Sequence, residues 1–250
     1  MRARERPTLR AWLAVSLVLG TLALDSCSGD REPDLSNSKA VSFEATDGIH
    51  LEGRVFGQGT KGVILAHMLP ADQTSWFDFA GRLADDGYLV LTFDFRGYCP
   101  GGDAGCSQGE RVIPDLPKDV DGAIRYLRDE HGAKTISLVG ASMGGTASLV
   151  SAAEPANEIR AVITLSAPTE IDGLAVDADL LSQVSAGKLF IASTGDAEAA
   201  ASAETLYDQS PPPKRVDIEP ADDHGTDLLT GPRGEVVRRL IETYLETNGS

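Results

Sequence analysis

Gly140-Ala141-Ser142-Met143-Gly144 restricts the fold of this chain more than any other stretch. The β-branched run Thr135-Ile136-Ser137-Leu138-Val139 leads into it, and Gly145-Thr146-Ala147-Ser148-Leu149-Val150-Ser151-Ala152-Ala153 leads out with the small residues a tightly packed helix start needs. A buried strand must therefore turn at once into a helix, with a serine held at the tip between glycines. The five-residue pattern by itself is weak, because it arises by chance in chains rich in Gly and Ser; the strand before and the helix after give it weight.

The rest of the chain repeats that strand-to-helix rhythm. Val41 to Ala45 and His50 to Phe56 alternate apolar and polar residues around Thr46-Asp47-Gly48, as an antiparallel hairpin with one wet face does. Gly62 to Ala66, Tyr88 to Phe93, Ala161 to Leu165 and Leu189 to Ser193 are instead continuous apolar runs, the pattern of parallel strands covered on both faces; Arg215 to Ile218 adds a last strand. Helical spacing is found over Thr74 to Asp86, Leu116 to Glu130, Glu198 to Asp208 and Gly234 to Glu246. Such alternation predicts an α/β fold: a mostly parallel twisted sheet of about eight strands, helices on both faces, led by an antiparallel hairpin. Ala167 to Gly187 leaves room for a short helix and not for a cap domain, and no internal repeat is visible. A chain of 250 residues suits one such domain.

The N-terminus reads differently. Arg2, Arg4, Arg6 and Arg10 precede an apolar run from Ala11 to Leu24, which matches the core of a signal peptide better than a spanning helix. Leu24-Asp25-Ser26-Cys27 resembles a bacterial lipobox, with Asp25 departing from its usual small or apolar residue. The expected organisation is a signal peptide over residues 1–26, a lipidated Cys27 with a polar tether over 27–39, and a catalytic domain over 40–250. The protein is then exported and held at a membrane through Cys27, or secreted if cleaved without lipidation, or anchored by the N-terminal segment if it is not cleaved. Cys99 and Cys106, with six residues between them in a Gly-rich loop, should pair in that oxidising compartment. Closing so short a loop stabilises the fold by about 2–3 kcal/mol on the chain-entropy account. Two thiols without a paired histidine offer too few ligands for a metal. A net charge of −16 argues against nucleic acid as a partner.

A serine hydroxyl needs a neighbouring imidazole to take its proton and a carboxylate to orient that imidazole. Of the four histidines, His50, His67 and His131 precede the serine, and His224 alone follows it, in the loop Asp222-Asp223-His224-Gly225 between the last strand and the last helix. Asp196, in Thr194-Gly195-Asp196 directly after a strand, is the preferred acid, because a carboxylate at the carboxyl end of a parallel strand faces the ligand crevice. Asp172 is its competitor, and Asp222 and Asp223 are expected to face solvent. An oxyanion needs two backbone N–H donors, each often worth about 10²-fold in rate. Met143 supplies one. Pro70 has no N–H, which leaves Leu69 or Met68 for the other, with Leu69 preferred.

With the order Ser142, Asp196, His224 in place, the chain from Lys39 to Glu246 resembles the α/β-hydrolase superfamily. In lid-less members similar to dienelactone hydrolases and cutinases, the segment matching His67-Met68-Leu69 is commonly His-Gly-X with X donating the second N–H, which implies Leu69; Met68 stands where glycine is familiar. Asp94-Phe95-Arg96-Gly97-Tyr98 resembles the family's Asp-x-Arg-Gly-x-Gly stretch, with Cys99 where glycine or serine is common. That region borders the substrate pocket in the family. The resemblance implies a serine hydrolase acting on carboxylic esters or related small acyl substrates, without a cofactor. A peptidase, thioesterase or amidase would use the same residues. The rival from another class is a catalytically silent, tethered binding protein, which an active-serine probe would separate from an enzyme. Dehalogenases and epoxide hydrolases of this fold carry a carboxylate at the position of Ser142 and are disfavoured.

Overall fold

The structure is a computed structural model that describes residues 34–249. The expected signal peptide, Cys27 and most of the tether lie outside the described residues. Strand β1 (Ser38–Glu44) begins two residues before the expected domain boundary and pairs antiparallel with β2 (His50–Phe56), Ser38 opposite Phe56. The remaining elements are β3 (Lys61–Ala66), α1 (Phe77–Asp85), β4 (Leu89–Phe93), α2 (Leu116–Asp129), β5 (Thr135–Ala141), α3 (Met143–Ala153), β6 (Ile159–Leu165), β7 (Glu170–Ile171), β8 (Leu174–Ala175), α4 (Ala178–Gln183), β9 (Gly187–Ser193), α5 (Ala197–Gln209), β10 (Lys214–Glu219) and α6 (Gly234–Asn248).

Eight strands form one sheet in the order β1-β2-β4-β3-β5-β6-β9-β10, antiparallel at β1-β2 and β2-β4 and parallel from β4 to β10. The apolar runs are continuous because successive residues feed two cores. Ile64, Leu138, Val162 and Phe190 point into one core with α2, α3, α4 and α5, whereas Val63, Leu65, Val139, Ile163 and Ile191 point into the other with α1 and α6. Each large apolar side chain buried completely, such as Phe93 or Ile64, stabilises the fold by about 1.5–3 kcal/mol. Between β6 and β9 the chain holds the β7-β8 hairpin and the short α4, so no cap is present among the described residues.

This topology fixes where a site can lie. The helix after β3 covers one face and the helix after β5 the other, so the loops leaving these neighbouring strands diverge and open a crevice at their carboxyl ends. Register aligns Ala66 with Gly140, Ala141 with Leu165, Leu165 with Ile191, and Glu219 with Ser193. Ser142, Asp196 and His224, and the loop from His67 to Pro70, all lie just beyond that common edge.

The stretch after β4 is tied down by charge. Arg96, 4% exposed, donates through Nε to Asp119 Oδ1 of α2 (2.8 Å) and through its terminal nitrogens to both oxygens of Asp47 in the β1-β2 turn (2.9 Å each). Its own backbone N–H donates to Asp119 Oδ2 (2.9 Å), so the loop is fixed by main chain and side chain together.

Candidate active site

Ser142 stands between β5 and α3 with φ 47° and ψ −118°, a conformation few residues with a side chain adopt. The packing around it explains why the turn persists. A Cβ on Gly144 would lie 2.4 Å from Ala66 O and 2.5 Å from His67 O, and one on Gly140 would lie 2.4 Å from Gly144 O. Without side chains at these positions the elbow settles directly onto the β3 loop. Ser142 N–H donates to Leu165 O (2.7 Å), and Ser142 O accepts the first helical bond of α3 from Thr146 N (3.1 Å). Met143 is the first residue of α3, so its N–H has no partner within the helix and is available to a ligand at the turn.

Asp196 and His224 meet. His224 Nδ1 hydrogen-bonds Asp196 Oδ2, and Asp196 Oδ1 accepts from Ala199 N (3.3 Å) at the start of α5. One carboxylate thus caps a helix with one oxygen and orients the imidazole with the other, which leaves Nε2 of His224 for the crevice. Asp172, the competing acid, lies exposed at the tip of the β7-β8 hairpin and is not joined to His224. Asp222 is exposed and folds over Gly195, where a Cβ would meet its Oδ1 at 2.0 Å. Asp223 departs from expectation: its carboxylate turns inward against Gly231 and its Oδ2 is buried without a hydrogen-bond partner. Neither carboxylate orients His224.

The β3 loop presents Leu69 by way of His67. His67 is fully buried, with Nδ1 against Met68 O (2.9 Å) and Nε2 accepting the Phe95 N–H (3.1 Å). These two bonds require a neutral ring carrying its proton on Nδ1. The N–H of a trans peptide points opposite to its C=O, so holding Met68 O also sets the direction of the Leu69 N–H. Met68 itself fills the space beside the His224 loop: a Cβ on Gly225 would lie 2.3 Å from Met68 Sδ and 3.5 Å from Ala141 Cβ. Gly225 has φ 57°, so its lack of a side chain serves both the backbone turn and the close approach of Met68.

Next to this loop lies a buried polar cluster in which Asp94 belongs to the stretch Asp94-Phe95-Arg96-Gly97-Tyr98, whereas no local sequence pattern marks Gln73 or Thr92. Asp94 accepts from Gln73 N (3.0 Å) and Gln73 Nε2 (3.1 Å), Gln73 Oε1 accepts from Thr92 (2.8 Å), and Gln73 Nε2 also reaches Ala104 O. Ala104 belongs to the loop closed by the Cys99–Cys106 disulfide, which is present. Tyr98, beside that disulfide, packs edge-on against His67 at 4.4 Å, with the Arg111 guanidinium 4.1 Å over its ring. The closed loop is therefore linked to the segment after β3 through Gln73 and Tyr98.

Burial lowers His67 to about 4 and raises Asp94 to about 7. His67 Nε2 and Asp94 Oδ1 are 3.8 Å apart, yet no ion pair forms, because Nε2 already accepts a proton from Phe95. Folding at mildly acidic pH thus moves a proton from His67 to Asp94. The His67 contribution to stability is present above its unfolded value of 6.5 and lost as pH falls toward about 4. The Asp94 contribution has the opposite sign, present below 3.8 and lost as pH rises through about 7, so the two nearly cancel. Asp94→Asn, which mimics the protonated acid, removes one side of that balance. On going from about pH 6.5 to about pH 4.5 this variant should lose about 2–3 kcal/mol more stability than the wild type. Urea titrations at the two pH values check it, and equal losses would contradict the neutral assignment of the pair.

Residues 62–207 match the model of the alpha/beta hydrolase fold family, and the chain belongs to that family. No curated protein matches the sequence. Among solved structures the chain is similar to an esterase of Pyrococcus furiosus, with a TM-score of 0.71 and 19% identity over 85% of this chain and 93% of that one. It is also similar to a dienelactone hydrolase of Anabaena variabilis (TM-score 0.69, 21% identity, 87% and 99% covered). A thermophilic esterase of Thermogutta terrifontis gives a TM-score of 0.69 at 17% identity, with 85% and 100% covered.

Proposed function

We propose that this chain is a serine hydrolase that cleaves carboxylic esters of small or extended substrates, at a site without a cap domain, through an acyl-enzyme. Ser142 Oγ attacks the ester carbonyl as His224 Nε2 takes its proton, and the oxyanion that forms accepts hydrogen bonds from the N–H groups of Met143 and Leu69. Collapse passes the proton to the leaving alcohol; water then attacks the acyl-serine with His224 again as base, releasing the acid and restoring Ser142. Asp196 holds the imidazole in the tautomer this cycle needs. The observation that carries the reading is the Asp196–His224 hydrogen bond at the strand edge that also bears the strained Ser142 turn. The esterases and the dienelactone hydrolase among similar structures favour an ester over an amide. Turnover of p-nitrophenyl acetate and butyrate against the matching anilides tests it: the esters should be cleaved at least about 10²-fold faster, and faster anilide cleavage would overturn the ester assignment.

We further propose that the protein is exported and held at a membrane through Cys27. Arg2 to Cys27 has the order of an export signal ending at a lipidated cysteine, and an exposed disulfide suits an oxidising compartment. The full-length chain expressed in a bacterium should partition with membranes, and Cys27→Ala should shift it to the soluble extracytoplasmic fraction. Unchanged partitioning in that variant would contradict lipid anchoring.

A further inference from the structure

His224 sits in a loop, and a loop alone does not hold a general base to the fraction of an ångström that proton transfer demands. The two peptide groups flanking it are both held by serine hydroxyls from the ends of neighbouring strands. Ser193, the last residue of β9, donates its Oγ–H to Asp223 O (2.7 Å), fixing the peptide before the imidazole. Ser166, directly after β6, accepts the Gly225 N–H on its Oγ (3.0 Å), fixing the peptide after it. Both serines are buried, 0% and 1% exposed.

Ser166 carries a second load. Its own N–H donates to Ile191 O (2.7 Å) across the sheet, and it adopts φ 54°, which a side chain other than a short polar one disfavours. Leu165, its chain neighbour, accepts the Ser142 N–H on its carbonyl oxygen. Two consecutive residues at the end of β6 therefore touch the nucleophile turn on one side and the base loop on the other. A hydroxyl is the group that fits both places: as a donor it satisfies a carbonyl at Ser193, and as an acceptor it satisfies an amide at Ser166.

We infer that Ser166 and Ser193 are positioning residues that clamp the His224 loop against the Ser142 turn, and that their hydroxyls set the turnover rate through His224 without touching substrate. This rests on the proposed serine-hydrolase reading. Ser193→Ala removes the donor to Asp223 O, and Ser166→Ala leaves the Gly225 amide unpaired. Each should lower kcat about 10- to 100-fold while KM changes less than about threefold, since ground-state binding uses neither group. The double variant should lose less than the product of the single losses, because both act on one imidazole.

Three controls separate positioning from general support of the fold. Ser166→Gly relieves the φ 54° backbone and also lacks the hydroxyl, so it should be as slow as Ser166→Ala even where it is more stable. Ser193→Thr keeps a donor and should recover most of the rate. Hydrogen exchange of the Gly225 amide, which needs no substrate, should speed up in both Ser166 variants and stay slow in the wild type. If the wild type does not react covalently with a fluorophosphonate, the serine-hydrolase reading fails. If the wild type reacts and Ser166→Gly and Ser193→Ala react and turn over at its rate, the clamp is wrong and the reading stands. Slow turnover that tracks only the loss of folded protein, with Ser193→Thr no better than Ser193→Ala, also overturns the clamp.

Discussion

Ser142→Ala should lower kcat for a p-nitrophenyl ester by at least about 10⁴-fold with KM nearly unchanged, since the loss falls on the covalent step and not on substrate binding. The fold should survive, because the turn is held by the backbone bonds of Ser142 to Leu165 and Thr146 and by the bare Gly140 and Gly144 contacts, none of which uses the hydroxyl. The φ of 47° adds a second arm to the test. Ala keeps that strain, whereas Ser142→Gly releases it, so the glycine variant should be equally inactive and about 1 kcal/mol more stable. Denaturant titration of the two variants beside their kinetics separates the cost of the strained backbone at Ser142 from the chemical use proposed for its hydroxyl. Undiminished turnover in Ser142→Ala would remove Ser142 from the mechanism.

Gly144→Ala should be strongly destabilising for a change of one methyl. Its Cβ would meet two main-chain oxygens, Ala66 O at 2.4 Å and His67 O at 2.5 Å, and neither can swing aside as a flexible side chain would. The β3 loop must retreat from the elbow, at a cost of about 3 kcal/mol or more. A domain of this size should then melt roughly 6–12 °C lower. The folded fraction should also be slow, because the displaced segment carries Leu69. Gly81→Ala in α1 is the matched control: a Cβ there meets nothing within 4 Å, so it should be neutral or stabilising by up to about 1 kcal/mol. Equal melting temperatures for the two variants would show that the close approach at Gly144 is not real.

The fold was legible because burial on both faces of a parallel sheet leaves a plain mark. Ile64-Leu65-Ala66 or Ala161-Val162-Ile163 reads as an unbroken apolar run only when alternate residues feed separate cores, as these do. The turn at Ser142 was legible for a related reason: Gly140 and Gly144 are bare where main chain meets main chain. Asp196 and His224 could be singled out because chain order and strand ends restrict the candidates, and they do share a hydrogen bond. The supporting shell was not legible. Ser166 and Gly225 are 59 residues apart, and a serine that accepts one amide looks in sequence like any other serine. Gln73, which gathers Asp94, Thr92 and Ala104, follows a proline-containing loop with no periodicity to mark it. The inward turn of Asp223 is hidden in the sequence because exposure is the ordinary fate of a loop aspartate, and the bare Gly231 makes room for it.

Ser142 is proposed as a nucleophile made reactive by the His224 held on Asp196. Incubation of the purified chain with a fluorophosphonate, followed by proteolysis and mass spectrometry, tests it without knowledge of the natural ester. The account predicts one stoichiometric adduct on Ser142, slowed at least about 10²-fold by His224→Ala. No adduct, or an adduct on Ser142 that forms equally fast without His224, would contradict it.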